Sequence, residues 1–465
     1  MTKQEATIKY ITDNYLNHNR LRHDLVADKI QIRAADSLED ASLQYAPKGL
    51  QFRGTGYWRE MTKHDINSIV CHCAQEYDQN ITSREVMTAL QSDLIPDVHP
   101  LREYINALPA WKPESGDWID LVASQVRVRE SALDIGRGNA AMGRSQNELW
   151  DGTECLLDNG THSEASYSPN GASSGSSADR LWHICFKKWF VAMVASWMQD
   201  EVVNHQVLVL IGRQGIYKTT WLEHLIPPHL RDYACKLANS NDLNKDERMR
   251  IAEFGLISLD EIDSMNNREL NQLKSIITAS DVNERAAYAY TKERRIRLAS
   301  FCASGNRRDF LTDITGNRRW LPFEVESIQN PFFTTLPYDL MYAQAWALAQ
   351  DPMFSYWFEL DEIEVLEQHN QHFRDESNEE QLLPILFDIP AEGRGEFMTT
   401  AQISERLVTY GNIKKPMALS RLGMVLGTAG YKATKRKVAN TQTRGWIVYQ
   451  RDTDEISSLR RILKD

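Results

Sequence analysis

The sequence predicts a multidomain α/β protein: a core built on a parallel sheet, an N-terminal accessory domain of α+β or helical type, and a C-terminal winged helix. Three observations predict it. Short apolar runs of strand length, QVLVLIG, FGLISLDEID and RLASFCASGN, alternate with helical stretches such as NRELNQLKSIITA, the signature of βαβ units. The first of these runs passes directly through a Gly-containing turn into a helix, the context of a phosphate-binding loop. Near the C-terminus, two helical patterns are followed by two strand-like arms around a polar turn.

With 465 residues, 42 % of them hydrophobic, the chain is too long for one ordinary domain and can bury several cores. Its 53 basic and 64 acidic residues give a formal charge of -11, so any nucleic-acid contact must use local positive charge. The six cysteines (Cys71, Cys73, Cys155, Cys185, Cys235, Cys302) lack paired zinc-ligand or disulfide spacings and read as free thiols in a reducing cytoplasm. The start, MTKQEATIKYITDNYL, has no signal-peptide core, and the longest apolar run, Phe190 to Met198, is too short to cross a bilayer. A soluble, cytoplasmic protein without a membrane partner is expected.

Residues 1–130 mix helical periodicity (IKYITDNYL, INSIVCHCAQEY) with strand-like pieces (KIQIRA, LQFRG) and form the accessory domain. Residues 131–180 are rich in Gly, Ser and Asn and read as a flexible insertion or linker. Residues 181–326 hold the core, opening with the helical LWHICFKKWFVAMVASWMQ; 327–395 read as a helical connector and 396–465 as the winged-helix unit.

Gly212-Arg213-Gln214-Gly215-Ile216-Tyr217-Lys218-Thr219-Thr220 is a Walker A pattern with one departure. Backbone N–H groups and the following helix N-terminus can cradle phosphates, with Lys218 reaching the β/γ-phosphates and Thr219 ligating Mg2+. Tyr217 stands where glycine usually serves a turn that favours positive φ, and its side chain is expected outside the cradle. Leu256 to Leu259 then end in Asp260-Glu261, a Walker B-like pair: Asp260 for the metal, Glu261 to activate water, Asp263 structural. An acidic pair at a strand end is commonly a solvated loop start; its order and spacing after the loop give it the other meaning.

Asn306 follows a third strand, where its amide can meet a γ-phosphate, although asparagine after a strand is ordinarily turn chemistry. Arg318 and Arg319 sit between the Gly316-Asn317 turn and the apolar LPFEV, with Arg318 preferred as a charge-stabilising arginine and Arg319 as a structural ion-pair partner. The segment 283–295 interleaves tyrosine with basic residues, including Arg285, Tyr290, Lys292, Arg294 and Arg295; it suits a hairpin on a phosphate backbone or, equally, a subunit contact. In the C-terminal unit Lys414, Lys415, Arg421, Lys432, Lys435, Arg436 and Lys437 give a basic recognition helix and wing for DNA, in a fold that also serves protein contacts.

IGRQGIYKTTW, ISLDEID, NERAAYAYTKERR, ASGNRRDFL and TGNRRWLPFEV, in this order, resemble the virulence-associated protein E family of mobile genetic elements, especially its Bacteroides-type members, most strongly over Leu181 to Val325. That family is similar to superfamily 3 helicases. The resemblance implies a P-loop ATPase core with ATP and Mg2+ as cofactors, a ring-forming and commonly hexameric homo-oligomer, DNA as partner, and a separate primase. It also implies that Asn306 is the sensor and Arg318 or Arg319 the finger acting across a subunit boundary. A DNA helicase or translocase is the leading expectation; a nucleotide-gated DNA-binding switch and a defence-system ATPase are the alternatives.

Overall fold

The computed structural model describes residues 1–33, 58–129, 176–237, 245–284, 293–312, 316–390, 395–438 and 441–456. Two compact units emerge, one of residues 1–307 and 319–362, the other of 308–318 and 363–465. The insertion expected at 131–180 lies outside the described residues except for its last five.

The first unit opens with the helix Lys3–Ile11, started by a Thr2–Glu5 capping box. Strands β1 (Leu21–Asp24), β2 (Lys29–Arg33), β3 (Trp58–Glu60) and β4 (Asp97–Val98) form a sheet of order β3-β2-β1-β4. Helices Lys63–Tyr77 and Ser83–Leu90 contribute Ile69, Cys73, Val86 and Leu90 to a core shared with Ala6, Ile11 and Leu21. This region is therefore α+β.

The main sheet uses β5 (Val126–Val128), β6 (Val207–Ile211), β7 (Ala234–Leu237) and β8 (Leu256–Leu259). After the hairpin β9 (Asp281–Glu284) and β10 (Glu293–Ile296), it is completed by β11 (Ser300–Gly305) and β12 (Trp320–Ile328). Its order is β5-β12-β6-β11-β8-β7, with every pair parallel except β5 with β12. β6, β8 and β11 are buried along their whole length, which explains their unbroken apolar runs. The end of the segment read as an accessory domain thus supplies the antiparallel edge strand of the core.

The helix Ser177–Met198 braces the sheet with three buried indoles at nearly helical spacing. Trp182 Nε1 donates to Ala123 O at 2.9 Å, Trp189 Nε1 to Phe301 O at 3.1 Å and Trp197 Nε1 to Gly255 O at 3.1 Å. Gly255 is required by close approach: a Cβ there would lie 2.9 Å from the Trp197 ring. No helix among the described residues is long and apolar enough to cross a membrane, and the five described cysteines are free thiols.

In the second unit, helices Asn378–Leu386, Thr400–Gly411 and Leu419–Thr428 pack with β13 (Phe387–Asp388), β14 (Glu396–Met398), β15 (Lys432–Val438) and β16 (Thr441–Gln450). β16 pairs antiparallel with β13, β14 and β15. Leu383, Leu386 and Phe387 share one core with Ile403, Leu422 and Trp446. A unit that begins at 396 would leave that core open, so the helix read as connector belongs with it.

Arg297 links the main sheet to its helices from a position only 1 % exposed. Its guanidinium donates to Ala299 O at 3.0 Å, to Asn204 O at 2.8 Å, and to Ile277 O at the end of the helix Asn267–Thr278. Burial lowers its pKa to about 9, which leaves it a cation at neutral pH, compensated by carbonyl oxygens and the negative helix end. Arg297→Met removes these donors together. It is expected to destabilise the protein by about 3 kcal/mol or more in urea unfolding, and Arg297→Lys is expected to recover less than half of that, because an ammonium cannot match the planar fork.

Candidate functional site

The parallel register aligns the carboxyl ends of β6, β8 and β11. Gly305 is level with Ile211, and Ala303 with Leu259, so the segments that follow these strands open on the same edge. Chain order reverses about β6, with β12 on one side and β11 on the other. The crevice outside such a point is where open α/β sheets bind ligands.

After β6 the chain turns through Gly212–Tyr217 into the helix Lys218–His224. Gly212 lies so close to β12 that a Cβ would meet Val325 O at 2.7 Å, and Gly215 has φ 84°. Lys218 is 6 % exposed, and its ammonium donates to Gly212 O and Arg213 O at 2.7 Å each and to Asn306 Oδ1 at 3.3 Å. Burial draws its pKa down, against the opposing charges of Asp263 and Asp260. The lysine therefore spans the loop and the end of β11, ready to exchange carbonyl partners for an anion.

Three oxygens meet beside it. Thr219 Oγ1 donates to Asp260 Oδ1 at 3.1 Å, Ser304 Oγ donates to the same oxygen at 2.8 Å, and the two hydroxyls lie 2.8 Å apart. Lys236 on β7 pairs with Asp260 Oδ2 at 2.8 Å. Burial raises the Asp260 pKa, but the bonds from Lys236, Ser304 and Thr219 outweigh it and hold the carboxyl below its ordinary value. No group of three or more His, Cys, Asp or Glu stands ready for a metal among the described residues. One carboxylate with two hydroxyls nevertheless fits Mg2+, a hard ion that keeps water and phosphate oxygens in its shell.

The acidic pair separates differently from a simple strand alternation. β8 ends at Leu259, and Glu261 has a left-handed backbone, φ 52°, that turns the chain into the 3₁₀ segment Ile262–Ser264. The exposed Glu261 is thus divided from Asp260 by a backbone turn. Asp263 accepts from Asn306 N at 3.2 Å and Arg307 N at 3.1 Å, fixing the turn after β11. Sequence reading passed over Ser304 and Lys236. Both stand near the carboxyl end of a strand, and only the fold brings them to Asp260.

Among the expected DNA contacts, Arg285, Tyr290 and Lys292 lie outside the described residues. Their flanks do pair as a hairpin, Arg294 opposite Asn283. Arg294 donates to Asp281 at 2.9 Å and remains exposed. Arg295 is turned inward instead: it donates to Val26 O at 2.6 Å and pairs with Glu253 at 3.3 Å, because strand alternation sends it to the face opposite its neighbour. Arg421 also departs from expectation, since its guanidinium donates to Thr312 O at 3.0 Å. The helix Leu419–Thr428 is thereby left without an outward basic residue, and Leu419 and Met424 are exposed on it. Positive charge is instead displayed by Lys414 and Lys415 in the preceding turn and by Lys432, Lys435, Arg436 and Lys437 on β15. Arg318 is exposed and Arg319 half-buried, both in the 3₁₀ turn Asn317–Arg319.

Tyr217 adopts φ 69°, the conformation its position favours, and its hydroxyl accepts from Asn330 Nδ2 at 3.3 Å. A non-glycine residue there costs about 1–2 kcal/mol of backbone energy, which the outward ring contacts offset. Tyr217→Gly trades one for the other. Stability is expected to change by less than about 1 kcal/mol, and any nucleotide affinity or turnover by only a few-fold; a gain of about a hundredfold, about 3 kcal/mol, would mean that the tyrosine cripples the loop.

Comparison with known proteins adds two relations. No curated protein matches the chain. Among solved structures, the apo C-terminal region of NrS-1 is similar at 12 % identity, covering 96 % of this chain and 100 % of that one, with a TM-score of 0.40. The A form of that apo region is similar at 11 % identity over 96 % and 99 %, with a TM-score of 0.38. Residues 171–375, which contain the loop, Asp260, Asn306 and both arginines, match the virulence-associated protein E-like domain.

Proposed function

We propose that the protein is an ATP-dependent DNA helicase or translocase of a mobile genetic element replication system, forming a ring and hydrolysing ATP at subunit interfaces. The observation that carries this reading is the convergence of Lys218, Thr219, Asp260, Ser304 and Asn306 on one edge of the parallel sheet. Lys218 and the loop amides bind the β- and γ-phosphates, and the helix N-terminus adds its partial positive charge. Thr219, Asp260 and Ser304 hold Mg2+, which supplies charge neutralisation on the phosphates when bound. Glu261 orients and deprotonates the attacking water, Asn306 holds the γ-phosphate end, and Arg318 completes a neighbouring subunit's site. The virulence-associated protein E-like match supports a role in mobile-element replication.

DNA is read as the partner from the second unit, whose helix–helix–hairpin order fits a winged helix with a basic wing. In the hairpin Lys435 lies directly opposite Arg444. Like charges at such a pair lower sheet stability, and a phosphate backbone relieves the repulsion. The helix Leu419–Thr428, which exposes Leu419 and Met424 and no basic residue, favours a second reading, a nucleotide-gated DNA-binding regulatory switch without processive unwinding. Strand displacement on forked DNA, coupled to DNA-stimulated ATP hydrolysis, supports the first reading; nucleotide-dependent binding without displacement supports the second.

Two sets of variants test the chemistry. Lys218→Ala is expected to lower ATP hydrolysis by about a hundredfold or more, whereas Glu261→Gln keeps ATP binding and loses turnover by a similar factor. Unchanged hydrolysis by Lys218→Ala protein would refute the site. For the ring, Arg318→Ala protein is expected to be inactive alone yet regain hydrolysis when mixed with Lys218→Ala protein, because some mixed interfaces pair an intact loop with an intact arginine. A mixture that forms hetero-oligomers and stays inactive would return Arg318 to a structural role.

A further inference from the structure

Beside the loop lies an aromatic patch that the proposed chemistry does not use. The Tyr217 ring meets the Phe332 ring edgewise, with centroids 6.5 Å apart and planes at 80°. Phe332 also packs edgewise with His224, at the far end of the helix that starts with Lys218, with centroids 5.6 Å apart and planes at 85°. Two edge contacts fix the orientation of Phe332, yet 69 % of the residue remains exposed. The following Phe333 is 88 % exposed.

The turn that carries these rings is built rather than loose. Asn330 Oδ1 accepts from Phe332 N at 3.0 Å, Asn330 O accepts from Phe333 N at 3.1 Å and from Thr334 Oγ1 at 3.2 Å, and the Asn330 amide reaches the Tyr217 hydroxyl. One side chain therefore ties the segment after β12 to the residue before Lys218. An exposed aromatic ring in contact with the residue that precedes Lys218 offers a stacking face beside a phosphate cradle.

We infer that Phe332, oriented by its edge contacts with Tyr217 and His224, is the platform on which the purine base of the nucleoside triphosphate stacks, with Tyr217 a positioning residue. The inference rests on the nucleotide reading of Lys218 and Thr219. A purine is favoured over a pyrimidine because its two fused rings cover more of an aromatic face. The patch is continuous with the loop itself, since Tyr217 is covalently adjacent to Lys218.

Calorimetric binding of a non-hydrolysable ATP analogue, the matching CTP analogue and inorganic tripolyphosphate to the full chain tests it, with Phe332→Ala and Phe332→Trp as variants and light scattering to follow oligomeric state. The parent is expected to bind the ATP analogue more tightly than the CTP analogue. Phe332→Ala is expected to lose about tenfold in affinity for the ATP analogue while tripolyphosphate binding stays within about twofold, and Phe332→Trp is expected to restore the loss. Equal loss toward the ATP analogue and tripolyphosphate, or no loss toward either, overturns the platform and leaves the phosphate site standing. A changed oligomeric state with unchanged affinities makes the patch a subunit contact and also overturns it. A parent protein that binds none of the three ligands overturns the nucleotide reading and the platform together.

Discussion

Parallel pairing of β11 with both β6 and β8 is the constraint on which the rest of the molecule depends. It puts three chain segments, distant in sequence, at one sheet edge with their backbones in register. A parallel sheet needs cover on both faces, and the indoles of Ser177–Met198 provide part of it while satisfying carbonyls of strands and strand starts. The polar cluster around Asp260 is affordable only at that edge. Inside the sheet a carboxylate with two hydroxyls and two lysines nearby would carry a large desolvation cost.

Much of this was legible in the sequence because parallel strands, buried on both faces, leave continuous apolar runs that end where the chemistry begins. QVLVLIG, FGLISLDEID and RLASFCASGN each became a core strand, and the residues after each run met at one place. The edge strand β5 was not legible: three residues carry no periodicity, and their partner lies almost two hundred positions away. The helix Asn378–Leu386 was misassigned for a related reason, since composition does not reveal which core an amphipathic helix joins.

At the level of single side chains, legibility depended on backbone direction. Arg294 and Arg295 are indistinguishable in composition, yet strand alternation gives one to solvent and the other to a salt bridge and a carbonyl. Arg421 looked like a recognition residue and is spent on Thr312 O. Ser304 was visible but unassigned, because a serine at a strand end carries no signal until Asp260 is known to face it. Tyr217 is the converse case, where a departure from the common pattern kept the conformation that the pattern exists to provide.

The N-terminal sheet closes on the core through a buried network. Tyr233 donates to Asp24 at 2.6 Å and Gln31 donates to both, so a side chain from residue 24 finds its partner 209 positions later. During synthesis at roughly 5–20 residues per second, that partner emerges on the order of 10–40 seconds after Asp24 does. Until then the Asp24 carboxylate has, among the described residues, only Val26 N, Ala27 N and Gln31 as partners, although Leu21 and Ile32 can already pack on the neighbouring helices. The Asp24 side of β1 and β2 is therefore finished long after it is made, and a ribosome stalled short of Tyr233 would hold a nascent chain with that polar network still open to water.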